Sequence, residues 1–151
     1  MRWTWAVGPV VLYAAAIVVL SSRPELPEPG FLALLMKLFA RSPLAGWFGF
    51  DKVSHFLEYA LFGLLVARAM RILSGAGAGR VILATTLVGM AFGASDELHQ
   101  FFVPGRDASL FDLLADTFGS LAGATGWVVL AGALRRLTGA PAPARPAREG
   151  T

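Results

Sequence analysis

Long apolar stretches recur along the 151-residue chain, and short segments rich in Pro, Gly or charged residues separate them. Four stretches are long enough to cross a bilayer core, which takes about 20 helical residues. They run over Trp3–Leu20, Phe50–Met70, Val81–Phe102 and Leu110–Leu134. The pattern therefore predicts an all-α protein, a bundle of four transmembrane helices.

Two segments outside these stretches have other patterns. Residues 21–30 are Pro-rich, and the following FLALLMKLFARSPLAGWFGF begins with a run too short and too charged to span a membrane. Its Lys37, Arg41, Trp47 and Phe48 are typical of a helix at headgroup depth, so we expect a short interfacial helix between the first two spans. Residues 137–151 lack apolar periodicity. We predict a membrane domain over 1–136 and a disordered tail over 137–151.

Composition places the chain in the membrane class. Hydrophobic residues make up 56% of the sequence, mean hydropathy is +0.62, and charged residues make up 15%. The net charge of +3 comes from arginines that flank the apolar runs and from the tail, so it is not a signal for nucleic acid. The chain has no cysteine, which excludes disulfides, thiolate metal ligands and a cysteine nucleophile.

The arginines also predict the orientation in the membrane. Arg68, Arg71 and Arg80 surround an acid-free loop between the second and third spans, and further arginines follow the fourth span. Positively charged short loops favour the cytoplasmic side. We therefore expect both termini in the cytoplasm, with residues 21–50 and 103–109 outside.

Three spans carry ionisable residues, which cost about 2.5–3.5 kcal/mol each at the centre of a membrane helix and usually serve function. At 100° per residue, those of the second span share one helix face, and those of the third and fourth spans lie one turn apart. We predict that seven side chains converge in one outward-opening cavity: Asp51, His55, Asp96, Gln100, Arg106, Asp112 and Asp116.

Each of these residue types suggests a role. The candidates for general acid and base catalysis are His55 and either Asp96 or Glu97. Burial and neighbouring charges can bring the pKa values of such groups toward neutral pH. Lys52 and Arg106 can hold a phosphate or carboxylate headgroup. The remaining candidates for substrate binding are Asp51, Tyr59, Gln100, Asp112 and Asp116.

Simpler interpretations exist for part of this set. Asp51, Lys52, Arg106 and Asp107 can equally sit at the wet ends of helices, and Asp112 suits a helix N-terminus. Carboxylates and histidines are also the ligand types of zinc or manganese, but the chain has no local motif such as His-Glu-x-x-His. No metal site is therefore predicted, and the sequence leaves the question of a cofactor open.

Two glycine pairs predict close helix packing. Gly89 with Gly93 and Gly119 with Gly123 have the small-xxx-small spacing that lets helix backbones approach in lipid. We expect both pairs to bring the third and fourth spans together.

The segments DKVSHFLEYALFGLL and SDELHQFFVPGRDASLFDLLADTFGSLAG resemble the VanZ-like family of bacterial membrane proteins over roughly residues 50–126. At residue 116 this chain has Asp where the family usually has Asn, so a role that needs a neutral amide is not carried over. Glu58 and His99 match no fixed family residue. The matching residues are Asp51, Lys52, His55, Phe56, Tyr59, Asp96, Glu97, Gln100, Phe102, Pro104, Arg106, Asp112 and Gly119.

The resemblance implies a multi-pass protein of the bacterial inner membrane, and the family is named for a link to teicoplanin resistance. The leading hypothesis is that the outward-facing pocket recognises or processes a lipid-linked cell-envelope intermediate, with membrane lipids and a polyprenyl- or peptidoglycan-linked lipid as partners. The alternative is a non-catalytic scaffold or binding protein whose polar residues form a structural network. Whether the protein is an enzyme stays open. A proton-coupled carrier is disfavoured, because the inner halves of the spans lack an ionisable relay.

Overall fold

The computed structural model describes residues 1–23 and 49–139. These residues contain four helices and no strand. The helices are α1 (Arg2–Ser21), α2 (Phe50–Ser74), α3 (Ala78–Gln100) and α4 (Leu110–Thr138). The predicted all-α transmembrane bundle is confirmed. The expected interfacial helix lies outside the described residues, as does the tail from residue 140 onward.

Glycines with left-handed backbone set the ends of α2 and α4. Gly75 follows α2 with φ of 59°, and Gly139 follows α4 with φ of 63°. Such a glycine closes a helix without the steric penalty that a Cβ would add. Both helices therefore run four residues beyond their predicted ends, Met70 and Leu134, because the arginines after the apolar stretch continue the helix.

The end of α3 comes two residues earlier than predicted. After Gln100, the N–H of Phe102 donates to the carbonyl of His99 at 3.0 Å, and the N–H of Val103 donates to that of Gln100 at 2.9 Å. These hydrogen bonds join residues three positions apart and replace the four-residue spacing of the α-helix. Phe102 therefore belongs to the connection between α3 and α4, although its apolar side chain resembles the end of a span.

Side-chain contacts define the two ends of the bundle. Arg2 of α1 donates to the carbonyl of Ile72 near the end of α2 at 3.0 Å, so α1 and α2 are antiparallel. Ser22, which follows α1, lies 2.9 Å from His99 near the end of α3. We call the end that contains the starts of α2 and α4 the polar end. The opposite end, with Arg2, Arg68, Arg71 and Arg80, is the basic end.

Glycines let α4 approach both of its neighbours. A Cβ on Gly119 or Gly123 would collide with the backbone of α2 at Phe56 and Ala60. Gly89 and Gly93 of α3 instead face side chains of α4. The prediction is thus confirmed for the pair on α3 and wrong for the pair on α4, because α4 uses its glycines for direct backbone contact with α2.

The core is small, and the outer surface is apolar. One buried cluster contains Ile17, Tyr59, Phe62 and Val66, and a second contains Ala67, Val81 and Ala124. Large apolar side chains such as Trp5, Leu83 and Val129 are exposed. Within the described residues, α1, α3 and α4 are long and apolar enough to cross a membrane. An apolar exterior around a thin core is the arrangement that lipid stabilises.

Candidate functional site

A hydrogen bond between an imidazole of α2 and a carboxylate of α4 lies at the centre of the polar end. Nδ1 of His55 is 2.9 Å from Oδ1 of Asp116, and the side chain of Asp116 is completely buried. Gly93 of α3 makes room for this carboxylate, because a Cβ there would lie 2.8 Å from Oδ2 of Asp116. Three helices therefore position one imidazole–carboxylate pair.

Glu97 connects the end of α3 to the start of α4. One of its carboxylate oxygens, Oε2, accepts the backbone N–H of Ser109 at 2.5 Å. Ser109 caps α4, since its hydroxyl accepts the N–H of Asp112 at 3.3 Å. The connection also contains Gly105, whose φ of 82° suits glycine. Glu97 thus has a structural contact through one oxygen, while the other oxygen, Oε1, is buried.

Asp96, Gln100 and Tyr59 are buried around this centre. Nε2 of Gln100 donates to Oδ2 of Asp96 at 2.9 Å, one helical turn away. The ring of Tyr59 packs against Phe62 and Phe92 in the core. Among the described residues the Tyr59 hydroxyl has no hydrogen-bond partner, although it is buried. A buried polar atom without a partner is costly, which is a reason to expect a ligand or an ordered water there.

Lys52 lies at the edge of the polar end and contacts two carboxylates. Its ammonium is 2.8 Å from Oδ2 of Asp51 and 3.2 Å from Oδ1 of Asp112. The Asp112 side chain is 9% exposed, whereas that of Asp51 is 60% exposed. Lys52 and Asp112 therefore belong to the buried set, and Asp51 occupies the wet end of a helix.

Arg106 lies in the turn after α3 and is half-buried. Its backbone N–H donates to the carbonyl of Val103 at 3.1 Å. The guanidinium is close enough to Glu58 to interact with it electrostatically. Nε of Arg106 is buried and has no hydrogen-bond partner in the described part of the chain. Arg106 thus lies at the polar end, and its Nε–H is available as a hydrogen-bond donor.

We call the buried and half-buried set the polar cluster. It gathers most of the predicted site residues, with Asp51 at its exposed rim, and it adds Glu58, which interacts electrostatically with His55, Asp96 and Asp116. Its members are Lys52, His55, Glu58, Tyr59, Asp96, Glu97, Gln100, Arg106, Asp112 and Asp116.

Sequence reasoning missed two contacts around the polar cluster. The Ser109 cap was readable from its spacing to Asp112, since Ser-x-x-Asp before an apolar run marks a helix start. The contact between Ser22 and His99 had no such signal, because it joins residues 77 positions apart.

An apolar groove lies beside the polar cluster, between the first turns of α2 and α4. Its volume is about 700 Å³, and Lys52 is the charged residue in its lining. The aromatic rings of Phe56, Phe111 and Phe118 form much of its wall. This groove is thus chiefly apolar, and none of the seven side chains predicted to converge in one outward-opening cavity lines it.

The polar cluster has unused acceptor capacity. Oδ1 of Asp96, Oε1 of Glu97 and Oδ2 of Asp116 are buried, and none has a hydrogen-bond partner among the described residues. Free carboxylate oxygens of this kind can accept protons or bind a cation. The Asp116 carboxylate also orients the His55 imidazole, an arrangement that can take up a proton from a reacting group.

The family of the chain follows from comparison with known sequences. The model of the VanZ/LLP1 family matches residues 10–131. The chain belongs to the VanZ/LLP1 family. The match begins at residue 10, within α1, and so extends beyond the two segments that carried the resemblance. Comparison with curated proteins and with solved structures gave no match.

Proposed function

We propose that this VanZ/LLP1 protein binds a lipid-linked intermediate of the bacterial cell envelope at the polar end. The hydrocarbon chain of the lipid lies in the groove between α2 and α4. Its charged headgroup lies at the edge of the polar cluster. Polyprenyl- and peptidoglycan-linked lipids have this combination of a long apolar chain and an anionic headgroup.

The observation that carries the proposal is the position of Lys52. The residue lines the apolar groove, and its ammonium lies 3.2 Å from the buried carboxylate of Asp112. A lipid in the groove would therefore meet a cation where its chain ends. Arg106 is the second cation of the cluster, and lysine and arginine are the side chains that most often bind phosphate.

The distribution of arginines supports an outward-facing site. Arg68, Arg71 and Arg80 lie at the basic end and favour the cytoplasmic side. The polar end would then open on the outer side of the inner membrane, with both termini in the cytoplasm. Lipid-linked envelope intermediates are used on that side.

Mass spectrometry of the lipids that copurify with the protein tests the proposal. We expect a polyprenyl- or peptidoglycan-linked lipid to be enriched over bulk phospholipid in the wild-type preparation. Lys52→Met should lower its content at least several-fold, because the variant keeps the apolar stem and removes the charge. Arg80→Met is the matched control, since it removes one positive charge at the basic end.

Two results would contradict the lipid proposal. One is a wild-type preparation that contains only bulk phospholipid. The other is an equal loss of the bound lipid in Lys52→Met and Arg80→Met, which would reflect net charge and not the groove.

A link to glycopeptide resistance is a further part of the proposal and has its own test. Cells that express the wild-type protein should be less susceptible to teicoplanin than cells that express His55→Ala, Asp96→Ala or Arg106→Ala. Immunodetection must show equal amounts of each variant in the membrane. Equal susceptibility of all these strains would remove the link.

The second candidate is a scaffold whose polar residues hold the bundle together. The observation that favours it is the set of contacts between helices: His55 with Asp116, and Glu97 with the Ser109 backbone. A satisfied buried network can specify one packing. If His55→Ala and Asp96→Ala unfold the protein as severely as a core deletion, the scaffold is the better account.

A further inference from the structure

Three side chains from three helices meet at the centre of the polar cluster. His55 of α2, Glu97 of α3 and Asp116 of α4 each offer a ligand atom, and these atoms lie within 4.8 Å of one another. Their separation in sequence explains why no local motif announces them. The set consists of one imidazole and two carboxylates.

Two of the three residues are buried, and each has one carboxylate oxygen without a hydrogen-bond partner among the described residues. Glu97 is 7% exposed and Asp116 is 0% exposed. Oε1 of Glu97 and Oδ2 of Asp116 have no hydrogen-bond partner in the part of the chain that the structure describes. Their other oxygens are used, by the Ser109 N–H and by His55 respectively. Each carboxylate is therefore held in place by one oxygen and has the second available.

The charge balance around the three residues also favours a cation. Asp112 and Glu97 interact electrostatically with His55, and Asp96 does so with Asp116. Carboxylates outnumber Lys52 and Arg106 in the polar cluster. A group of carboxylates in a low-dielectric region repels itself unless protons or cations offset the charge.

We propose that His55, Glu97 and Asp116 form a binding site for one divalent transition-metal ion, zinc or manganese. Nitrogen from imidazole and oxygen from carboxylates suit both ions. Three protein ligands leave at least one coordination position for water or for an oxygen of a bound ligand. Metal binding does not require the lipid proposed above, so the two proposals can fail separately.

Metal binding to purified protein tests the site. The full chain, purified in detergent with an affinity tag that contains no histidine, is stripped with a chelator and dialysed. Zinc or manganese is then added, and bound metal per chain is measured by elemental analysis after desalting. We expect about one ion per chain and a rise in melting temperature, because a ligand that binds the folded state stabilises it.

Variants distinguish the site from adventitious binding. Glu97→Gln should weaken affinity at least tenfold, while its amide oxygen can still accept the Ser109 N–H. Asp116→Asn should have a similar effect and provides a second case. His99→Gln is the matched control, because His99 and His55 are the two histidines of the chain. The control should bind metal like the wild-type protein.

Three results would overturn the metal site. The folded wild-type protein binds neither ion, His99→Gln loses binding while Glu97→Gln retains it, or all variants bind equally. Comparing zinc with manganese identifies the ion, since stoichiometric binding of one of them is sufficient for the proposal.

Discussion

The two ends of the bundle contain charged side chains in opposite circumstances. At the basic end, Arg2 donates to the carbonyl of Ile72, and Arg68 donates to that of Trp5, each at 3.0 Å. Arg71 likewise donates to the carbonyl of Ala76, after the end of α2. Backbone groups near the helix ends thus have partners, and the hydrogen bonds of Arg2 and Arg68 are exposed.

At the polar end, carboxylates are buried and several of their oxygens have no partner in the described residues. Apolar residues of similar size would pack there without the desolvation cost of a buried carboxylate. The basic end therefore shows what charge does for the helices and for orientation. The polar end carries charge beyond that need, which is the pattern of a functional site.

The sidedness of the two ends gives the largest expected effect. The chain has no cysteine, so a single introduced cysteine reports its own position. Ala108→Cys lies at the polar end and Ala78→Cys at the basic end, and both positions are exposed. We expect a membrane-impermeant maleimide to label Ala108→Cys in intact cells and to label Ala78→Cys only after lysis. The reverse pattern would place the polar end in the cytoplasm and contradict the proposed envelope substrate.

Packing between α2 and α4 should give the next largest effect. Gly123→Ala places a methyl group against the backbone carbonyl of Ala60, which cannot move as a side chain can. Overpacking of this kind costs about 1–3 kcal/mol, and a backbone contact belongs at the upper end of that range. Unfolding in detergent measures the loss.

Gly126→Ala is the matched control in the same helix, since nothing lies within 4 Å of a Cβ at Gly126. The control should be neutral or stabilised by up to about 1 kcal/mol, because alanine favours helix over glycine. Equal destabilisation of both variants would show that the close contact of α4 with α2 does not hold the bundle together.

Removing a charge at the basic end should have the smallest effect on the free energy of unfolding. Arg68→Gln removes a guanidinium that makes one accessible hydrogen bond to Trp5. We expect it to lower the free energy of unfolding by about 1 kcal/mol or less, since a single such bond contributes about 0.5–1.5 kcal/mol even when shielded. The labelling assay described above must show unchanged orientation. A loss as large as that of Gly123→Ala would give the basic end a structural importance that its contacts do not suggest.

The fold could be predicted from the sequence, because the length of each apolar stretch and the positions of the flanking arginines are local features of the chain. Most members of the polar cluster could also be identified from the sequence, since an ionisable residue within a membrane helix is costly and therefore conspicuous. Hydropathy alone misplaces the ends of α2 and α4, because both helices continue past their apolar stretches to the capping glycines Gly75 and Gly139.

Which residues of the polar cluster contact each other could be learned only from the structure. The pairing of His55 with Asp116 depends on the register of α2 against α4, and Gly119 and Gly123 set that register by touching Phe56 and Ala60. Small-xxx-small spacing predicts a close contact and does not identify the neighbouring helix. For the same reason, the meeting of His55 with Glu97 and Asp116 could not be read from spacing.

The most direct test of the proposed function is to measure melting temperature and copurified lipid in the same preparation of Lys52→Met. Methionine keeps the apolar stem that lines the groove, so packing is retained while the positive charge is lost. The account predicts a fall in melting temperature less than half that of Gly123→Ala, together with loss of the bound envelope lipid. A fall as large as that of Gly123→Ala, with wild-type lipid content, would contradict it and make the polar cluster a structural network.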